Sequence, residues 1–235
     1  MPRDCCSVDY DVHFDAEHAR GDLLDYRANG ADGSTRRLLD ALIGEGVAGA
    51  SLLDIGGGVG IVELELLEAG VASSVDVDAS GPYLAVAESE AAERGFGDRT
   101  AYWHGDFVAM ADEIEAADVV TLDRVICCYR DVRSLVSRSA QHAQQLFGLV
   151  YPVDRWWTRS GIWIMNLITR ISRNDYRAYV HSARLVDRLI RDAGLELRYH
   201  HRGWVWQTAV YARPSSSGNG GGRYSTEPIG SSSSA

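Results

Sequence analysis

A cluster of glycines at residues 56–60 constrains the fold more than any other feature of the sequence. Residues 52–60 read LLDIGGGVG, so a short apolar run passes directly into a loop with four glycines in five positions. Such an apolar run is typical of a buried strand, and glycines let the backbone approach a bound molecule where a Cβ atom would collide. The segment therefore predicts a strand, a sharp turn and the start of a helix, with a ligand held against the turn.

Helical and strand-like patterns alternate along residues 34–212. Strands are predicted at residues 51–55, 74–78, 100–104, 118–122, 146–151, 195–200 and 205–212, and helices at residues 34–46, 59–69, 81–94, 131–145 and 183–193. Strands separated by helices join through right-handed crossovers into a parallel sheet. No helix separates the last two strands, which indicates an antiparallel edge strand. The predicted fold class is α/β, a doubly wound, mostly parallel, seven-stranded Rossmann-like sheet.

Three other segments are predicted around this domain, which spans residues 34–213. Residues 1–33 are expected to form a helical segment laid against it, and the Ser- and Gly-rich residues 214–235 a disordered tail. Residues 154–174 form an insertion that carries three Trp and several aliphatic residues at helical spacing. This helical insertion follows the carboxyl end of a strand, where open α/β sheets bind ligands, and is predicted to act as a lid; burial in the core is the alternative.

Charge and composition exclude several functions. All 23 basic residues are Arg, so a Walker P-loop, a pyridoxal enzyme and a lysine-dependent aldolase each lack their essential Lys. The net charge of −10 disfavours nucleic-acid binding. No apolar stretch reaches the roughly 18 residues of a membrane span, which predicts a cytoplasmic protein without an integral membrane segment. The sequence predicts no oligomeric state, and no residue spacing indicates a metal site.

The loop at residues 56–60 departs from the dinucleotide fingerprint. That fingerprint requires Gly or Ala where this chain has Ile61, and Asp54 within the first strand would repel a pyrophosphate. Both features favour a positively charged ligand without phosphate. Asp78, at the tip of the second strand, can accept hydrogen bonds from ribose hydroxyls, and Asp106 and Phe107 after the third strand offer edge and face contacts to an adenine.

The motifs DIGGGVG, VDVDAS and HGDF, in this order, resemble those of the class I S-adenosylmethionine-dependent methyltransferases. The resemblance covers residues 34–212 and implies S-adenosylmethionine (SAM) as the cofactor. It places the methionine part of SAM at Asp54, Gly56, Gly58 and Gly60, the ribose at Asp78, and the adenine at Asp106 and Phe107. We also expect Gly57, Ala79 and Asp123 to line the cofactor site.

A narrower resemblance concerns the methyl acceptor. Residues 122–129 (LDRVICCY), residues 177–181 (RAYVH) and the stretch leading to Tyr26 are similar to segments of magnesium-protoporphyrin O-methyltransferases. The resemblance implies O-methylation of an anionic or planar small molecule, such as a porphyrin carboxylate, with Tyr26 near the acceptor. Cys127 stands where that family has a His, so the acceptor can differ.

Few residues are candidates for a catalytic base. They are Tyr26, His181 and Asp123, with His104 as a further possibility, and a carboxylate acceptor would need none. Arg124, Arg130, Arg155 and Arg159 are candidates for holding an anionic acceptor, with solvated surface as the alternative.

Two other functions stay open. A noncatalytic SAM-binding protein can have the same fold. A nicotinamide-dependent oxidoreductase is disfavoured by Ile61 and Asp54.

Overall fold

The computed structural model describes residues 15–171 and 177–214. The strands are β1 Ser51–Ile55, β2 Ser73–Asp78, β3 Thr100–His104, β4 Ala117–Asp123, β5 Ala143–Pro152, β6 Glu196–Arg202 and β7 Trp206–Ala212. The α-helices are α1 Ala16–Asn29, α2 Gly33–Glu45, α3 Ile61–Glu68, α4 Gly81–Glu93, α5 Phe107–Met110, α6 Val132–His142, α7 Trp156–Ile171 and α8 Ala183–Asp192. Residues 215–235 of the predicted tail lie outside the described residues.

The strands form one seven-stranded sheet in the order β3-β2-β1-β4-β5-β7-β6. The first five strands pair in parallel, and β7 pairs antiparallel with both β5 and β6. The predicted doubly wound, mostly parallel α/β sheet is confirmed. The antiparallel strand expected at its edge is β7, which lies one place in from the outermost strand, β6.

Helices cover both faces of the sheet because its central strands carry apolar side chains on both sides. On one face, Leu53 and Phe147 belong to a core that includes Leu135 of α6 and Ile190 of α8. On the other face, residues of the alternate strand positions pack with α2 and α3. The ligand-binding edge of such a sheet lies at the carboxyl ends of its parallel strands.

The first described helix, α1, packs against α4 on the outside of the domain. Asp15 caps it by accepting hydrogen bonds from two backbone N–H groups, and Ala19 and Tyr26 are buried. Arg27 near its end pairs with Glu90 and Glu93 of α4. These contacts fix α1 beside the carboxyl edge of the sheet.

The predicted insertion contains α7, and Thr158 is the buried residue of this helix. Most of its large apolar side chains are exposed. Among the described helices, none has the length and apolarity needed to cross a membrane.

Candidate active site

A cavity of about 810 Å³ opens at the carboxyl edge of the sheet, between α1 and the ends of β1, β2, β3 and β4. This volume lies in the range of small-molecule and cofactor sites. Its lining includes residues 55–59, 77–80, 104–107 and 123–125, with Asp22, Asp25, Tyr26 and Asp32 from the α1 side.

The glycines of the loop after β1 serve different purposes. A Cβ on Gly56 would lie 2.6 Å from Val125, and one on Gly57 would lie 2.6 Å from the Asp76 carboxylate, so these two glycines allow close packing. Gly58 has φ +63° and a Cβ there would meet only Tyr83, at 3.7 Å. Gly58 therefore borders the open cavity. Gly60, with φ +80°, precedes α3 and does not line the cavity.

Asp78 ends β2 and binds the loop. Its Oδ2 accepts a hydrogen bond from Gly58 N at 3.0 Å, and its Oδ1 accepts one from Ser80 N at 2.8 Å. Burial raises the pKa of Asp78, although the backbone N–H groups act in the opposite direction. Ala79 also lines the cavity, and its carbonyl oxygen accepts a hydrogen bond from His104 Nε2 at 3.1 Å.

Asp106 and Phe107 follow β3 and both line the cavity. Asp106 caps α5, accepting a hydrogen bond from Val108 N at 3.0 Å, and its Oδ2 accepts one from the Tyr129 hydroxyl at 2.9 Å. The Phe107 ring is buried and packs edge-on against His142, with ring centroids 5.3 Å apart. Asp106 and Phe107 thus both reach the cavity, with the Phe107 ring largely buried in the core.

Two carboxyl groups are buried beneath the glycine loop. Asp54 and Asp76 lie opposite each other in the register of β1 and β2. Thr121 donates a hydrogen bond of 2.7 Å to Asp54 Oδ1, and Gly57 N donates one of 3.2 Å to Asp76 Oδ1. Burial raises the pKa of Asp54 to about 8 and that of Asp76 well above its usual range. Asp54 does not line the cavity, so the structure places it under the loop and not at the expected ligand contact.

Asp123 ends β4 and lines the cavity. The Thr35 hydroxyl donates a hydrogen bond of 2.5 Å to its Oδ2, while its Oδ1 is buried without a hydrogen-bond partner among the described residues. Burial raises the pKa of Asp123 to about 6, against the effect of Thr35. The next residue, Arg124, has φ +62°; its guanidinium pairs with Asp32 and lies 5.0 Å from the centre of the Trp206 ring.

The other predicted bases are placed differently. Tyr26 lines the cavity, but its hydroxyl donates a hydrogen bond of 3.2 Å to Glu65. His181 does not line the cavity; its Nε2 donates a hydrogen bond of 2.9 Å to the Tyr129 carbonyl oxygen, and burial lowers its pKa. The structure therefore brings Asp123 and Tyr26, but not His181, to the cavity.

Of the four arginines predicted to hold an anionic acceptor, only Arg124 lines the cavity. Sequence reasoning missed Thr35, Tyr83 and Tyr129. Tyr83 lines the cavity and donates a hydrogen bond of 2.6 Å to Asp22. Thr35 and Tyr83 belong to no motif, and Tyr129 ends the segment LDRVICCY, whose resemblance to a known family gave this residue no role.

Residues 53–145 match a protein family described as a methyltransferase domain. The predicted resemblance to SAM-dependent methyltransferases is thereby confirmed, since the matched residues contain part of β1, all of β2 to β4 and most of the cavity lining.

Solved structures that resemble most of this chain have the same fold. Magnesium protoporphyrin IX methyltransferase from Synechocystis PCC 6803 with bound SAH is 18% identical at a TM-score of 0.63, covering 88% of this chain and 100% of that one. Its structure with bound SAM gives 16% identity and a TM-score of 0.61, with 89% and 99% covered. An O-methyltransferase family protein from Burkholderia thailandensis is 17% identical at a TM-score of 0.65, with 90% and 64% covered. A sequence comparison with curated proteins found no match.

Proposed function

We propose that the chain binds SAM and transfers its methyl group to an oxygen of a small molecule. The observation that carries this proposal is one continuous cavity, which joins the glycine loop, Asp78 and Asp106 to Asp123. Its volume of about 810 Å³ leaves space for an acceptor beside a nucleoside.

The residues present fit SAM. Gly58 leaves space where a side chain would fill the cavity, and the Asp78 oxygens, each accepting one backbone hydrogen bond, retain lone pairs for the ribose hydroxyls. Asp106 can accept a hydrogen bond from an adenine amino group. The many carboxylates of the lining suit a ligand that carries positive charge. SAM, when bound, supplies an electrophilic methyl group on a sulfonium centre.

Asp123 is the residue best placed to act on the acceptor. With a pKa of about 6, its carboxyl group is ionised at neutral pH. Its Oδ1, which accepts no hydrogen bond from the described residues and lies 3.9 Å from Arg124 Nε, can accept the proton of an acceptor hydroxyl. The Thr35 hydroxyl holds the carboxylate in place. Alignment of acceptor and donor in the cavity supplies the larger part of the rate acceleration, up to roughly 7–11 kcal/mol in favourable systems.

The charge of the cavity wall favours a neutral hydroxyl as the acceptor. Asp22, Asp25 and Asp32 lie on the α1 side of the cavity, and Arg124, the arginine of the lining, is already paired with Asp32. A carboxylate acceptor would meet this wall with repulsion. The porphyrin carboxylate implied by the resemblance is therefore the second candidate, and Tyr26 would lie near either acceptor.

Calorimetry with SAM and S-adenosylhomocysteine, followed by mass spectrometry of methyl transfer, tests the proposal. The transfer assay uses methyl-deuterated SAM with a panel of planar hydroxylated molecules, magnesium protoporphyrin and a metabolite extract. Labelled product from a hydroxylated molecule is expected. Binding without transfer to any acceptor would favour the noncatalytic alternative, and failure to bind SAM would refute the proposal.

Two statements remain predictions from the sequence. They are that the acceptor is not a nucleic acid and that the protein is cytoplasmic.

A further inference from the structure

The outward side of α7 is apolar. Six of its side chains cover an arc of about 140° on a helix of 3.6 residues per turn, and all six are exposed, with Trp156 at 75% and Ile171 at 74%. This α7 face consists of Trp156, Trp163, Ile164, Leu167, Ile168 and Ile171. Trp204, 76% exposed between β6 and β7, extends it. Monomeric proteins rarely expose apolar patches of this kind unless they bind something.

The inward side of α7 holds the helix in this orientation through polar contacts. Asn166 Nδ2 donates a hydrogen bond of 2.8 Å to the Ala178 carbonyl oxygen, and Ala178 N donates one of 2.9 Å to Asn166 Oδ1. Trp157 Nε1 donates a hydrogen bond of 3.2 Å to the Trp204 carbonyl oxygen, which ties the two parts of the surface together. The side that faces the protein therefore carries Thr158, Asn166 and Thr169 together with Ile162, whereas most of the large apolar side chains point outward.

The surroundings of the α7 face are cationic, although the whole chain has a net charge of −10. Within residues 154–171 and 177–182, four arginines accompany a single acid, Asp154, which pairs with Arg159 at 2.7 Å. Arg159 and Arg170 lie along one flank of the apolar arc at helical spacing, and both are exposed. An apolar face with Trp and a flank of Arg is typical of helices that lie in the interface of an anionic membrane.

We propose that the α7 face and Trp204 dock the protein on an anionic lipid surface. At about 1.5 Å per residue, the 16 residues of α7 extend about 24 Å and can lie flat in the headgroup region, where Trp side chains are favoured. A second copy is a poorer occupant, because a symmetric contact brings two cationic surroundings together. The insertion follows β5, whose carboxyl end lies at the same edge of the sheet as the glycine loop, so the docking helix begins at the edge that carries the cavity.

Vesicle binding of the full chain tests this inference independently of methyl transfer. Co-sedimentation with phosphatidylcholine vesicles is compared with that of vesicles containing phosphatidylglycerol, and Trp emission is followed in parallel. We expect binding to the anionic vesicles alone, weakened about tenfold by about 0.5 M NaCl. Trp163→Asp with Ile168→Asp should abolish binding, and Arg159→Glu with Arg170→Glu should weaken it about tenfold.

The matched control is Leu24→Asp with Ile43→Asp, which places the same two charges at exposed apolar positions of α1 and α2. It should bind vesicles like the unchanged protein, and thermal unfolding verifies that each variant is folded. No binding to anionic vesicles, or equal binding to both kinds, would overturn the proposal. Dimers that dissociate with Trp163→Asp, in the absence of lipid binding, would overturn it in favour of a second copy.

Discussion

Gly58 N donates a hydrogen bond of 3.0 Å to Asp78 Oδ2, so the loop after β1 and the tip of β2 form one rigid unit. The unit depends on parallel pairing of the two strands, because Ile55 lies opposite Val77, one residue before Asp78. The same carboxylate that fixes the loop borders the cavity. The geometry of the cofactor site is therefore established by the sheet before any ligand binds.

Asp78→Asn should weaken SAM binding by on the order of 1–3 kcal/mol, because a neutral amide replaces a charged acceptor of ribose hydrogen bonds. Calorimetry measures the dissociation constant. Glu88→Gln, an exposed change of the same kind on α4, is the control and should leave the affinity unchanged. An unaltered affinity in Asp78→Asn would refute the ribose assignment.

Gly58→Ala should reduce SAM binding far more than it reduces stability. The new Cβ has room in the protein itself but extends into the cavity. Gly95→Ala is a matched control, since Gly95 has φ +80°, no atom within 4 Å of an added Cβ, and no part in the cavity. Each change should cost about 1–2 kcal/mol of unfolding free energy from the left-handed backbone. Equal SAM affinities in the two variants would contradict close approach of the ligand at Gly58.

The sequence predicted which glycines and strand ends lie at the site better than it predicted the contacts between side chains. Glycine positions and strand tips follow from local pattern, and Asp78 and Asp106 lie at the cavity. Contacts between distant segments have no such pattern: Thr35 reaches Asp123 across 88 positions of the chain, and Tyr129 reaches Asp106 only because a loop returns over the sheet edge. Asp54 belongs to a motif, but its side chain follows the strand alternation into the interior.

Element boundaries show a similar limit. The helix predicted at residues 131–145 ends at His142, because β5 begins at Ala143 and pairs there with Ala117 of β4. Helical propensity in residues 143–145 is thus overridden by pairing with a distant strand, which a local pattern does not encode.

The lid role of residues 154–174 stays a prediction, since none of the α7 residues lines the cavity.

Asp123→Asn should lower kcat for a hydroxyl acceptor by about 10²–10⁴-fold while SAM still binds, because the base is lost. In the unchanged protein, kcat should fall as the pH drops through about 6, where Asp123 becomes protonated. Thr35→Val removes a hydrogen bond that lowers this pKa. The pH at which kcat falls should therefore be higher in this variant. Stopped assays across the pH range measure both effects. If kcat fell at the same pH in Thr35→Val as in the unchanged protein, the role of Asp123 would be contradicted.

Asp54→Asn should stabilise the protein at alkaline pH. The pKa of Asp54 is about 8 in the folded state against an ordinary value of 3.8, so the folded state holds this proton more tightly. The free energy of unfolding should therefore fall as the pH rises from about 4 to 8, and then level off. Asparagine keeps the acceptor for Thr121 without a charge, and should remove a few kcal/mol of this pH dependence. Urea unfolding at several pH values measures it, and an unchanged slope would show that Asp54 is not the group responsible.

Glu90→Gln should loosen α1 from α4 and, with it, the α1 wall of the cavity. Glu90 is 3% exposed and accepts hydrogen bonds from both Arg27 and Arg94. Burial raises its pKa, but the two arginines outweigh burial and leave the pKa below its usual value. A neutral amide removes the buried carboxylate that the two arginines share and leaves them only the exposed Glu93 and Glu68, which should cost on the order of 1–3 kcal/mol of unfolding free energy.

Glu93→Gln is the control for Glu90→Gln, because Glu93 pairs with the same Arg27 but is 62% exposed. An exposed pair contributes less than about 1 kcal/mol, since water and salt screen it. Urea unfolding compares the two variants, and SAM calorimetry reports whether the wall formed by Asp22, Asp25 and Tyr26 has moved. If both variants lose equal stability, burial of Glu90 does not set the strength of the contact, and α1 must be held chiefly by the packing of Ala19 and Tyr26.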